Sequence, residues 1–275
     1  MEQIWFIVKC IILGIIEGLT EFLPVSSTGH LIIGEKILGL DPASPFMTSF
    51  SVIIQLGAIL AVVYLFWPKI LRKLSSFFRG EKEGRRFVLI WLLGCVPAAV
   101  LGLGLDDLIE EKLFSVPTVI LALVIGALLL LGLERFFASR LHKRSTDEIS
   151  NKDALVIGAW QCLALWPGFS RSAATIMGAW NRGLHSAPAA EYSFFLAIPV
   201  MFGASGLKLV KMDFSQILTH EYVALLLAFL TAFVTALLVV RAFMNFLRRH
   251  SLASFAYYRL GLAALMLVLL LARVI

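Results

Sequence analysis

Charge is what this chain has least of. Asp, Glu, Lys and Arg make up 15% of its 275 residues, hydrophobic residues make up 60%, and the mean hydropathy is +0.90. Soluble domains carry about 25% charged and about 45–50% apolar residues. The shortage excludes a disordered segment, a coiled coil and an ordinary cytosolic enzyme, and leaves a polytopic membrane protein. Cysteine is scarce too. Cys10, Cys95 and Cys162 are odd in number, lie in apolar segments and form no C-x-x-C, which excludes a disulfide scaffold and reads as small buried hydrophobes. The start, Met1-Glu2-Gln3, lacks a basic region, and no small-x-small site precedes Pro24, so no cleaved signal peptide is expected. The net charge is +6, but the basic residues fall between apolar runs rather than on one wet face. No nucleic-acid partner is expected.

What is abundant is long apolar sequence. A crossing helix needs about 20 largely apolar residues, and six stretches qualify: Thr48–Trp67, Phe87–Leu105, Val116–Leu133, Ala189–Val210, Tyr222–Val240 and Leu252–Ile275. Two more are apolar but interrupted. Trp5–Leu40 is broken by Leu23-Pro24-Val25-Ser26-Ser27-Thr28-Gly29-His30, and Ala154–Gly183 by Trp166-Pro167-Gly168-Phe169-Ser170-Arg171-Ser172. Irregular backbone at membrane depth is tolerated only inside protein or beside a wet cavity, so each is read as a re-entrant pair of half-helices. The expected fold is an all-α polytopic membrane protein with six transmembrane helices plus two re-entrant helical hairpins.

Loop charge sets the expected orientation. Lys69, Arg72, Lys73, Arg79, Lys82, Arg85 and Arg86 crowd one connection. Arg135, Arg140, Lys143, Arg144 and Lys152 fill a second, and Arg241, Arg248 and Arg249 a third, whereas Asp106–Lys112 is acidic. The positive-inside rule places the three basic connections in the cytoplasm. Both termini then face outward.

The interrupted segments resemble each other. Gly14 and Glu17 align with Gly158 and Gln161, Pro24 with Pro167, Ser27 with Ser170, and Phe50-Ser51 with Tyr192-Ser193. Residues 1–275 are read as one integral membrane domain built from a first half, 1–135, and a second, 154–275. Three crossings between the hairpins invert the second half, giving an inverted-topology repeat whose hairpins meet near the midplane, as in many transporters.

The polar residues at the breaks carry the chemistry. Glu17 and Glu21 are four apart and share a helix face. Intramembrane carboxylates cost a few kcal/mol or more each and mark ion pathways or catalytic sites. A divalent cation between the two would relieve their repulsion and could bridge a phosphate. Ser26, Ser27, Thr28 and His30 follow Pro24; N-capping explains one hydroxyl, not three before a histidine. A serine needs a base to become a nucleophile, which Glu21 or His30 could supply. Arg171 stays charged in an apolar neighbourhood and has a fork that fits phosphate. It follows a turn that opens a helix, where free N–H groups point the same way, with Ser170, Ser172 and Thr175 beside it. An ion pair with Glu17 or Glu21 is the structural alternative for Arg171.

Two of these motifs, Glu17-Gly-Leu-Thr-Glu21 and Pro167-Gly168-Phe169-Ser170-Arg171-Ser172-Ala173-Ala174-Thr175, together with the stretch Glu17–His30, resemble the undecaprenyl pyrophosphate phosphatase family of the bacitracin-resistance type. The likeness runs along essentially the whole chain. It implies a bacterial cytoplasmic (inner) membrane enzyme that cleaves undecaprenyl pyrophosphate to undecaprenyl phosphate and inorganic phosphate, recycling the carrier for peptidoglycan. It also implies an active site open to the outer face and a divalent cation, magnesium or calcium. Membrane lipids surround such a protein, and a second copy in a homodimer is a further candidate partner. Carried across, Glu17 and Glu21 become metal-associated or base residues, and Arg171 with Ser170, Ser172 and Thr175 the phosphate clamp. Ser26 and Thr28 add donors, Ser27 is the preferred nucleophile and His30 the acid, with direct attack by His30 the competing mechanism. The lipid phosphatases of the phosphatidic-acid type carry Ser-Arg-x5-His-x3-Asp, which would need histidine at Met177 and aspartate at Asn181; both are absent. A transporter or flippase of a polyprenyl phosphate or other anion is the alternative function.

Overall fold

A computed structural model describes residues 1–42, 44–137, 144–211 and 217–275. Its α-helices, in chain order, are α1 (Glu2–Thr20), α2 (Ser27–Ile37), α3 (Pro45–Phe78), α4 (Lys82–Leu113), α5 (Val116–Phe137), α6 (Asn151–Gln161), α7 (Arg171–Asn181), α8 (Ser186–Lys211), α9 (Thr219–Phe246) and α10 (Ala253–Leu271), with 3₁₀ turns at Thr146–Glu148 and Cys162–Leu165. Among the described residues seven helices, α1, α3, α4, α5, α8, α9 and α10, are long and apolar enough to cross a membrane. The chain is a multi-pass membrane protein. Its outward stripes are apolar: Leu226, Leu230, Val234 and Leu238 stand exposed at helical spacing along α9. In water such a surface would drive association; in lipid it is the solvated face.

Several sequence-based boundaries move. Six spans are expected, and α1 adds a seventh by length, because nothing breaks its apolar run before Pro24. Lys69, Arg72 and Lys73 are not in a loop. α3 carries on through them, since basic residues are good helix formers, and stops at Gly80, whose φ of 76° makes a left-handed cap. Likewise α4 continues through the acidic stretch to Leu113. Arg140 and Lys143 of the second basic connection lie outside the described residues.

The two interrupted segments both fold as antiparallel hairpins. In the first, Leu40, just past α2, joins Cys10 and Leu13 of α1 in one buried cluster, with Phe6 packed on it. Gly34 of α2 faces Leu13 and Ile16. In the second, Arg182 at the end of α7 returns to Asp153 at the start of α6 (Nε–Oδ1 2.7 Å), where Arg144 also binds (2.8 Å). Burial alone would push the Asp153 carboxyl up. Hydrogen bonds from Arg144, Ser150 and Arg182 outweigh it and hold the group well below the usual carboxylate range.

The helix α3 relates the hairpin mouths. Its start sits in the Cys10–Leu40 cluster through Phe46. Its far end reaches the connection before α6, where Lys73 pairs with Asp147 (2.6 Å) and Glu83 (2.5 Å) and Lys69 with Glu191 (2.5 Å). The 34 residues of α3 rise about 1.5 Å each, so the hairpins enter from opposite ends of the bundle. Small residues let the helices close. A Cβ on Gly14 of α1 would lie 2.5 Å from the Ala228 carbonyl oxygen of α9, and one on Gly158 of α6 would lie 2.5 Å from the Gly94 carbonyl oxygen of α4. Such backbone approach is what holds helices together where lipid offers no hydrophobic drive.

Candidate active site

The site is made where the two hairpin turns meet. Pro24 disfavours the helical region for Leu23, and the chain re-enters a helix through Ser26 at φ 72°, ψ 104°. The second turn does the same through Ser170 at φ 75°, ψ 115°. A non-glycine residue in this region costs on the order of 1–3 kcal/mol and persists only where surroundings impose it. The Ser26 carbonyl accepts the His30 Nδ1–H at 2.7 Å, and Ser170 Oγ accepts the Ala173 N–H at 3.3 Å. Ser27 and Arg171 stand at the first helical positions of α2 and α7, and both line one cavity.

Contacts across the junction are direct. Ser172 Oγ donates to the Leu23 carbonyl at 2.9 Å, and the Arg171 guanidinium lies 5.8 Å over the Phe22 ring. Ser27 Oγ donates to Glu21 Oε2 at 2.8 Å, while Glu21 Oε1 stands 3.5 Å from Arg171 Nη2. One carboxylate therefore touches the hydroxyl with one oxygen and faces the guanidinium with the other. Arg171 anchors through Nη1 on the Ser193 carbonyl at 3.0 Å, yet its buried Nε and Nη2 have no hydrogen-bond partner. The ion pair that sequence reasoning held as the structural alternative exists, but it leaves two donors open. Buried donors without partners cost about 1–3 kcal/mol each, and a bound anion would satisfy them.

Two adjoining cavities receive these groups. The smaller, about 220 Å³, is lined by Glu21, Ser26, Ser27, Thr28, Gln55, Ser170 and Arg171 among others. The larger, about 760 Å³, shares Ser27, Thr28 and Gln55 and adds Glu17, Glu35 and an apolar wall that includes Leu31, Ile32, Val116, Val119 and Ile275. Glu17 is buried, and its Oε2 has no hydrogen-bond partner.

Three expected residues sit differently. Ser172 and Thr175 are fully buried and line neither cavity. Thr175 Oγ1 donates to the Arg171 carbonyl at 2.9 Å and bonds Ser193 Oγ at 2.6 Å. They brace Arg171 from behind rather than extend the clamp, because the helical turn rotates their side chains into the core. His30 also lines neither cavity. Its ring stacks on Tyr258, with Nε2 2.8 Å from the Tyr258 hydroxyl.

Sequence reasoning missed Ser193, Gln55, Glu35, Tyr258 and Arg259. Only Arg259 announced itself: it is an arginine inside an apolar span, the same signal that singled out Arg171. Ser193 appeared only as a repeat match, and the others depend on which helix faces which.

Fold and site together define a multi-pass membrane protein with a buried arginine, carboxylate and hydroxyl at the junction of two hairpins, beside a partly apolar cavity. The family model described as "Bacitracin resistance protein BacA" matches residues 10–265, and the chain belongs to that family. It is 44% identical over 269 residues to a Clostridium tetani protein and 46% identical over 269 residues to one from Thermoanaerobacter pseudethanolicus, covering 98% of this chain and 98% of the relative in both cases. A Ruminiclostridium cellulolyticum protein is 43% identical over 274 residues, with the same coverage. All three are named undecaprenyl-diphosphatase.

Proposed function

We propose that this chain is an undecaprenyl-diphosphatase, a hydrolase that removes the terminal phosphate of the lipid carrier diphosphate for reuse in cell-wall synthesis. The observation that carries the reading is the chain Ser27–Glu21–Arg171, with unpartnered arginine donors at a cavity that has an apolar wall on one side. Ser27 Oγ attacks the terminal phosphorus while Glu21 Oε2 accepts its proton. The P–O bond to the bridging oxygen breaks, undecaprenyl phosphate leaves, and a phosphoserine remains. Water then attacks that phosphorus, the Ser27 oxygen leaves with a proton, and inorganic phosphate is released. Arg171 Nε and Nη2, Ser170, Ser26, Thr28 and the first-turn N–H groups hold the phosphate oxygens. His30 stands outside both cavities with Nε2 on the Tyr258 hydroxyl and Nδ1–H on the Ser26 carbonyl, so it would serve as the acid only after its ring turns from Tyr258 toward the leaving oxygen.

A divalent cation, magnesium or calcium, fits beside Glu17, whose buried Oε2 lacks a partner one turn from Glu21. Among the described residues no three His, Cys, Asp or Glu side chains gather as a ligand set; magnesium is commonly held by one or two carboxylates with water and substrate phosphate completing its shell. When bound, it would neutralise phosphate charge.

The matching strained serines, Gly14 and Gly158 packing each on a partner helix, and hairpins entering from opposite ends support an inverted repeat of halves 1–135 and 154–275 in one domain. In the bacterial inner membrane, six crossings with α1–α2 and α6–α7 returning to their own sides would put both termini and the first hairpin's mouth outside. The basic ends of α3 and α9 would then be inside. Transport of the same anion without cleavage would leave the Ser27–Glu21 hydrogen bond without a task.

Phosphate release from detergent-solubilised protein supplied with metal and undecaprenyl diphosphate tests the reading. Wild-type turnover with loss in Ser27→Ala and Arg171→Ala is expected, and unchanged hydrolysis in both variants would overturn the site. Trapped phosphoenzyme should survive acid, as phosphoserine does; acid lability would shift the nucleophile to His30.

A further inference from the structure

One helix reaches both turns of the site from consecutive residues, the second turn directly and the first through His30. Arg259 of α10 is fully buried, and no carboxylate pairs with it among the described residues. Its Nη2 donates to the Ala122 carbonyl of α5 at 3.1 Å and to the Gly168 carbonyl of the second turn at 3.3 Å. The guanidinium lies 5.9 Å from the centre of the Phe169 ring. Room for it is made by Gly126 of α5, where a Cβ would fall 2.1 Å from Nη2. Gly168 itself has φ 95°, a Cβ there would lie 2.7 Å from the Val119 carbonyl oxygen, and two and three residues later come Ser170 and Arg171. A buried cation without a counter-charge costs several kcal/mol, which packing alone does not justify.

The preceding residue serves the other turn. The Tyr258 ring stacks on His30 with centroids 5.6 Å apart, and its hydroxyl meets Nε2. The Ser26 carbonyl can only accept, so His30 Nδ1 carries the hydrogen. In the neutral ring Nε2 is then the acceptor of the Tyr258 O–H. The strained Ser26 is thereby tied, through His30, to α10.

We propose that Tyr258 and Arg259 are paired positioning residues that hold the two turns in register, Tyr258 by fixing the ring of His30 and Arg259 by fixing the Gly168 carbonyl that leads into Ser170 and Arg171. Neither touches the phosphate; each acts through another residue. The kinetic arm of the test rests on the phosphatase reading above, and the binding and spectroscopic arms do not.

Arg259→Met, Gly126→Ala and Tyr258→Phe are compared with wild type in detergent, per folded molecule. Gly126→Ala pushes the flexible guanidinium aside without touching the site, so it keeps the test alive if Arg259→Met fails to fold. Both should raise KM for undecaprenyl diphosphate and weaken inorganic pyrophosphate binding by about tenfold, since small misplacements of a binding group cost that much or more. Arg259→Lys should restore part of the loss. The double variant should be no worse than Arg259→Met alone, because the two changes remove one interaction. Tyr258→Phe keeps the stacking and should leave KM within about twofold while lowering kcat, and it should move the ¹⁵N resonance of His30 Nε2. Loss of folded yield with wild-type KM, kcat and pyrophosphate affinity in the folded fraction would reduce both residues to scaffolding. Additive effects, or an unmoved His30 signal, would overturn the corresponding half. If wild type binds pyrophosphate but releases no phosphate from the lipid, the phosphatase reading fails while the pyrophosphate affinities and the His30 signal still decide the positioning.

Discussion

The two hairpin turns share a backbone and differ in what their serines do. Ser170 caps its own helix through Oγ, whereas Ser26, at nearly the same φ and ψ, makes no side-chain cap. Around Ser170 the polar groups other than Arg171 Nε and Nη2 are largely spoken for: Ser172 holds Leu23, Thr175 holds Ser193, and the hairpin mouth is locked by Asp153, Arg144 and Arg182. Around Ser26 fewer are tied down, with Glu17 Oε2 unpartnered and Ser27 on Glu21 at the cavity. One geometry has thus been used twice, once as a fixed support for Arg171 and once, in the mechanism proposed above, as the reactive edge. A phosphate reaction needs both, because a nucleophile gains only if the group it attacks is held still.

Substitutions in the two turns test that division, and the largest effect should come from the reactive one. Ser27→Ala or Glu21→Gln should lower kcat by about 10³-fold or more, about 4 kcal/mol of barrier, with little change in thermal stability. On the supporting side, Arg171→Lys keeps the charge but loses the fork. A fall of about 10²-fold in kcat/KM is expected, and a variant as active as wild type would mean that the clamp lies elsewhere. The lock at the second mouth should matter for folding and not for chemistry. Asp153→Asn should lower unfolding free energy by about 2–3 kcal/mol with kcat per folded molecule unchanged.

The same lock sets an acid limit. A carboxyl held below its ordinary value contributes stability that is fully present above the unfolded pKa, about 3.9 for Asp. That stability is lost as pH falls from there through the folded value. Melting curves in detergent should therefore drop below about pH 4 in wild type, and less steeply in Asp153→Asn. The smallest contrast is between the twin serines. Ser170→Ala removes a helix cap and should cost about 1 kcal/mol, while Ser26→Ala removes none and should cost a few tenths, roughly. Equal losses in thermal melts would erase the distinction between the turns.

Much of this was legible in the residues. Apolar runs of membrane length, the two Pro-containing breaks, and Glu17, Glu21 and Arg171 where charge is expensive all follow from the cost of polarity in lipid, a property each residue carries with it. Helix ends were less legible. Lys69 to Lys73 read as loop by charge but continue α3, because hydropathy reports the solvent around a helix and not its hydrogen-bonding limit. Ser172 and Thr175 read as clamp residues because they share a motif with Arg171, yet one turn of helix rotates them into the core.

By itself, then, the order of residues determined the solvent of this protein, its hairpin breaks and the few charged residues that lie where charge is costly, since transfer free energies are local and nearly additive. Only the tertiary structure decided which groups meet: that Glu21 lies between Ser27 and Arg171, that His30 turns to Tyr258, and that Arg259 reaches Gly168 across 91 residues. Those pairings depend on which helix faces which and on the gap a glycine leaves at Gly126. Directional contacts between distant residues exist only once the backbone has closed.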